Sequence, residues 1–216
     1  VSLNLSGDTE KILSNNNKNI SSVFLQHAFG NYSREIKSLE MIDDLHLIKD
    51  KTAVWGNIMQ DYLAENYHIP KENIIVSGSP RHDSFFREKK EYEPRYNNSV
   101  LLTPRPIIHD VEGENSGKYE LYENTLRRVL KCVEKNNLEL IVKLHPQQNE
   151  HNEQIRKIIS SINPEIKVFQ RMPILSLLKR CNLLINLSPD SYDASTTILE
   201  AMIMKKPVID ITLAKK

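Results

Sequence analysis

The second half of the chain alternates short apolar runs with longer amphipathic stretches. The runs SVLLT (99–103), ELIVKL (139–144), 166–169, LLINL (183–187) and PVIDI (207–211) are brief and rich in Val, Ile and Leu, so each reads as a buried strand. Between the first two, Tyr122, Leu126, Val129, Leu130 and Val133 recur at helical spacing within 118–135. In 152–162, Ile155, Ile158, Ile159 and Ile162 fall at i, i+3, i+4 and i+7, and Asn163-Pro164 supplies the stop. Shorter helices are predicted over 173–180, with Pro173 in its first turn, and over 195–204. Strict strand–helix alternation with apolar strands predicts a parallel sheet covered by helices on both faces.

The first half is less regular. The opening twenty residues are polar and read as a loop. Strands are predicted at 22–26 (SVFLQ), 46–48, 52–55 and 73–77 (NIIVS), and a helix at 57–67, with Pro70 just beyond it. The stretch 88–98 is charged, contains Pro94 and has no periodicity. These shifts predict a first unit over 1–88, a linker over 89–98 and a second unit over 99–216.

Composition narrows the class. The chain has 216 residues, 29 Lys and Arg against 28 Asp and Glu, and a formal net charge of +1. That balance argues against a nucleic-acid binder driven by bulk charge. No apolar run approaches the ~20 residues of a membrane-crossing helix, and VSLNLSGDTEK at the start has neither a basic nor an apolar signal region. A globular cytosolic protein is expected. Cys132 and Cys181 fall in apolar helical patterns and are expected to be buried thiols rather than a disulfide framework. Phosphate-binding glycine motifs, the GxSxG elbow, HExxH and cysteine pairs are absent from the sequence, so neither a metal site nor a resident cofactor is expected.

Parallel sheets bind ligands beyond the carboxyl ends of their strands, and the chemically distinctive residues gather there. Arg105, between two prolines, follows 99–103; a guanidinium on so stiff a backbone suits bidentate phosphate contact, or a surface ion pair. His145-Pro146 follows 139–144 and reads either as a rim contact to a phosphate or base, or as a surface residue. The polar loop 188–197 (SPDSYDASTT) is longer than most such connections. It opens a helix at Ser195-Thr196-Thr197, whose N–H groups and dipole attract phosphate. An ordinary capping box, with Glu200 reaching back from Thr197-Ile198-Leu199-Glu200, is the competing reading. In the strand order 3-2-1-4-5 all three motifs line one rim. In the first unit His27 follows a strand and has the intrinsic pKa for acid–base work, against a structural role. GSPRHD (78–83) reads as a hinge or cleft wall, with Asp83 a second candidate base.

The series QHAFG (26–30), GSPRHD (78–83), LTPR (102–105), KLHP (143–146) and SPDSYDASTTILEAMIMKKPVID (188–210) resembles the GT-B glycosyltransferases of surface-polysaccharide type. The closest likeness is to the CDP-glycerol glycerophosphotransferase, capsule-polysaccharide transferase and bacterial sialyltransferase-like groups. The resemblance covers roughly residues 22–211. It implies an α/β, GT-B-like fold: a C-terminal Rossmann-like parallel-sheet domain that holds the nucleotide, and the end of an N-terminal, acceptor-side Rossmann-like domain across a cleft. By the resemblance, Arg105 neutralises leaving-group charge and His145, with Pro146, contacts the nucleotide. Ser191, Ser195, Thr196 and Thr197 hold phosphates, and Glu200 bonds the ribose. His27 faces the acceptor as base or as a phosphate contact. The implied reaction moves a sugar or glycerol-phosphate unit from a nucleotide-sugar or CDP-alcohol donor to a glycan or lipid-linked acceptor without a metal, in the cytoplasm, including the inner face of the membrane through peripheral association. Retaining members carry two glutamates near the last helix; here Tyr192 stands in place of the first, which implies inversion. Ala28 replaces the family's glycine after the histidine, and the serine pair is expanded across 191–195. The first strands of the N-terminal domain and the C-terminal crossing helices are also missing from these 216 residues, which therefore resemble a partial transferase. A UDP-N-acetylglucosamine 2-epimerase-like enzyme and a non-catalytic nucleotide-binding subunit share the fold and are the alternative readings.

Overall fold

The computed structural model describes residues 23–26, 50–91, 98–105, 116–146, 149–189 and 195–213. The strand predicted at 46–48 lies outside them. The chain divides into two compact units, Val1–Asp83 and Ser84–Lys216.

The first unit holds a parallel sheet of β1 (Val23–Leu25), β2 (Lys51–Val54) and β3 (Ile74–Val76), in that order. Helix α1 (Asn57–Tyr67) packs Met59 and Leu63 on Val54 and Ile74. Gly78 turns the chain out of β3 at φ 73°, a conformation that costs glycine little. Around these strand ends, Gln26 accepts the Trp55 backbone N–H through Oε1 at 2.7 Å, and its own carbonyl accepts the Trp55 indole N–H at 3.1 Å. Trp55 meets the buried His82 ring edge-on, with centroids 5.3 Å apart.

Burial holds the His82 imidazole below the ordinary histidine range, and the Arg81 charge adds to the effect. The unfolded chain therefore takes up a proton near pH 6.5 that the folded unit resists. Stability is expected to be full above that pH and to be lost as pH falls below it. His82→Gln should flatten that slope in urea melts between pH 7.5 and 5.5; an unaltered slope would show that His82 is not its source.

Helix α2 (Asp83–Glu91) runs into the stretch that composition marks as a linker. Phe85 is buried in a core of the second unit, and Glu88 pairs with Lys179 there. The second unit follows as β4 (Ser99–Pro104), α3 (Ser116–Lys135), β5 (Glu139–Lys143), α4 (Asn149–Ile162), β6 (Lys167–Phe169), α5 (Ile174–Leu178), β7 (Leu183–Ser188), α6 (Thr196–Ile203) and β8 (Val208–Thr212). All five strands are parallel, in the order β6-β5-β4-β7-β8.

Strand alternation builds two cores. Val100, Leu102, Leu140, Val142, Ile185 and Leu187 face the apolar stripes of α3 and α4. Leu101, Ile141 and Leu184 face the other way, toward Leu177 and Leu178 of α5 and Ala201 of α6. Successive residues of one strand thus serve opposite layers, as the pleat requires. The two cysteines part company. Cys181 is buried, which pushes its thiol up to about 11, but it sits between α5 and β7 rather than in a helix. Cys132 corrects the expectation of a second buried thiol: it is exposed, because the stripe Leu126, Val129, Leu130 and Val133 turns residue 132 to the outer face of α3.

Candidate functional site

Arg105 immediately follows β4, His145 and Pro146 follow β5, and Ser195 to Thr197 open the helix after β7. Those strands are neighbours in the order β5-β4-β7, so the three motifs share one carboxyl-end rim. The Arg105 backbone N–H donates to the Leu187 carbonyl at 2.8 Å, which carries the β4–β7 pairing one step past the strand. Its side chain is half-buried, and its charge reaches the buried Tyr122 phenol, where it opposes the strong upward push of burial.

Ser195 is the N-cap of α6, with φ −63° and ψ 123°, and its own side chain makes no capping hydrogen bond. With Ser195 as N-cap, the third helical residue is Ile198, so the 197–200 spacing is out of phase with a capping box; Glu200 itself is only 2% exposed. Ser195, Thr196 and Thr197 remain partly exposed around the positive end of the helix.

A polar row crosses the sheet beneath this helix, on the α5–α6 face. Thr103 pairs in register with Asn186, and Asn186 with Asp210. The Thr103 hydroxyl donates to Asn186 Oδ1 at 3.1 Å. Asn186 Nδ2 donates to Ser188 Oγ at 3.0 Å and to Asp210 Oδ1 at 2.7 Å. Lys143 extends the row on β5; burial lowers its pKa, and the Glu200 charge opposes that shift. Its Nζ donates to the Leu144 and Gln170 carbonyls, each at 2.7 Å. The sequence pattern held a signal for this row: Thr103, Lys143 and Asn186 are each a polar interruption of an apolar strand run, on one pleat parity.

Asp83 is exposed and begins α2, where its charge complements the helix dipole. His27 and Ser191 lie outside the described residues. Among the described residues, no three His, Cys, Asp or Glu side chains gather where a metal ion could be held. No helix among them is long and apolar enough to cross a membrane.

No family model matches the chain, and no curated protein does. Solved structures do match. UDP-GlcNAc 2-epimerase from Methanocaldococcus jannaschii, in complex with UDP-GlcNAc and UDP, aligns with a TM-score of 0.60 at 18% identity, over 94% of this chain and 62% of its own. A TarM variant from S. aureus, in complex with fondaparinux, alpha-GlcNAc-glycerol and UDP, aligns with a TM-score of 0.51 at 16% identity, over 93% of this chain and 38% of its own. A glycosyltransferase from Rickettsia africae ESF-5 aligns with a TM-score of 0.42 at 18% identity, over 88% and 52%. The chain spans between 38% and 62% of the lengths of these structures. The fold is α/β and GT-B-like, with a Rossmann-like parallel sheet in the second unit.

Proposed function

We propose that residues 99–216 are the donor-binding domain of a nucleotide-dependent transferase. In this reading the first unit, Val1–Asp83, belongs to its acceptor-side domain, and α2 and the stretch to residue 98 lead into the donor-binding domain. The enzyme moves a sugar or glycerol-phosphate unit from a nucleotide-activated donor to a cell-surface glycan or lipid-linked acceptor. It inverts configuration and needs no metal. The observation that carries this reading is the convergence of Arg105, His145 and the N-terminal start of α6 on one sheet rim. An exposed imidazole, a guanidinium and helix N–H groups together match a nucleoside diphosphate. The M. jannaschii and S. aureus structures both contain UDP, which supports a diphosphate ligand for this fold. An acceptor of that kind would set the reaction in the cytoplasm, at the inner face of the membrane.

UDP, CDP or CMP is expected to raise the melting temperature by mass action. Replacing both Thr196 and Thr197 by Val should remove most of that shift, since two hydroxyls at a phosphate site are worth on the order of 1–3 kcal/mol. Unchanged affinity in the double variant would return these residues to a purely structural role.

An epimerase acting on UDP-GlcNAc is the second reading, favoured by the 0.60 TM-score match. Incubation with UDP-GlcNAc alone separates the two: an epimerised sugar nucleotide formed without acceptor would replace the transferase reading. Tight nucleotide binding with neither reaction would favour a non-catalytic subunit.

A further inference from the structure

Three consecutive carbonyls at the end of β5 are each taken by a side chain. Lys143 Nζ donates to Leu144 O at 2.7 Å, and Asn152 Nδ2 donates to His145 O at 2.6 Å. Gln170 Nε2 donates to Pro146 O at 3.4 Å. The donors come from β5, from the first turns of α4 and from the residue after β6. Gln170 is itself held, since its Oε1 accepts from Arg156 Nη2 at 3.2 Å and its carbonyl accepts from Lys143 Nζ at 2.7 Å.

Asn152 is the most telling member. It is 0% exposed, and its Oδ1 has no hydrogen-bond partner among the described residues. A buried amide so placed costs stability that an apolar side chain of similar size would not. The bond to His145 is what the amide provides there. The side chains of His145 and Pro146 themselves remain exposed. The turn is therefore fastened through its backbone, with both side chains exposed.

We propose that Asn152 and Gln170 are positioning residues: they clamp the His145–Pro146 backbone so that the His145 imidazole meets a nucleotide already in place. The proposal rests on the reading of His145 as a donor-nucleotide contact. Ordering a ligand-binding side chain in advance spares the complex that entropy on binding. A clamp that acts only through His145 must be energetically coupled to it.

The test compares wild type, Asn152→Leu, Gln170→Met, His145→Ala and the doubles that include His145→Ala. UDP and CMP affinities are measured by calorimetry, and the mobility of the His145 backbone amide by ¹⁵N relaxation. Each clamp variant is expected to bind about tenfold more weakly than wild type, with a mobile His145. On the His145→Ala background the same substitutions should cost almost nothing further. Equal losses on both backgrounds, or unchanged affinity with a rigid turn, would overturn the proposal. Gln170→Met is the variant of record where Asn152→Leu does not fold, because Gln170 is only half-buried. If wild type binds neither nucleotide, the donor reading fails on its own. The relaxation data then decide the clamp: a His145 amide as rigid in Gln170→Met as in wild type overturns it.

Discussion

His27→Ala is expected to slow transfer by roughly 10²–10⁴-fold while leaving nucleotide affinity nearly intact. An inverting transfer is a single displacement, in which the acceptor hydroxyl must lose its proton as it attacks. The group that takes the proton needs a pKa near the working pH, and an unperturbed imidazole, at about 6.5, has one. By the resemblance the base belongs to the acceptor-side domain, where QHAFG carries His27 just beyond β1. Asp83 is the other candidate there. Its place in the first turn of α2 gives its charge a structural use, so Asp83→Asn is expected to cost less than His27→Ala. The side chains proposed to hold the donor lie at residues 105–200, so removal of His27 should lower turnover without weakening donor binding. Added EDTA should change the rate little. A product that keeps the donor's anomeric configuration, or a His27→Ala enzyme of normal rate, would remove His27 from this role.

The architecture of the second unit was legible because its signals are local and repeated. Apolar strand runs at 99–103, 139–144 and 183–187 and the stripes at Leu126–Val133 and Ile155–Ile162 each bury a face that their own periodicity defines. The order 3-2-1-4-5 then followed from the commonest way to wind such a sheet, and the structure has it. The rim residues Arg105 and His145 were legible for the same reason, because they end strands. Glu200 was harder to read. Its spacing from Thr197 fits a capping box, but the N-cap of α6 lies two residues earlier, at Ser195, and Glu200 is buried. The clamp on His145 was not legible. The partners of the His145 and Pro146 carbonyls lie 7 and 24 residues further on, and such pairings exist only once α4 and β6 are docked. Cys132 was misread because a stripe along α3 tolerates an apolar-looking residue on its outer side.

Asn186→Asp is expected to be strongly destabilising at pH 7 and to recover as pH is lowered. Asn186 is 0% exposed and is the centre of the polar row. It accepts from Thr103 and donates to Ser188 and Asp210. An apolar replacement such as Asn186→Leu removes all three bonds and adds bulk. It should cost about 1–3 kcal/mol, because Thr103 and Ser188 lose a buried partner while the exposed Asp210 rehydrates. The aspartate variant keeps the shape and changes only the chemistry. The Nδ2–H that now donates to Asp210 at 2.7 Å becomes a second carboxylate oxygen. Two carboxylates at that distance cannot both ionise without a large cost, so the folded variant holds a proton between them that the unfolded chain releases. The folded state then binds more protons than the unfolded state, and stability must fall as pH rises. Urea melts of Asn186→Asp at pH 5 and pH 7 should show the lower midpoint at pH 7, the reverse of the slope expected from His82 in the first unit. A variant whose pH slope equals that of the wild type would mean that Asn186 and Asp210 are not in contact in solution, and the row would then lose its link to β8.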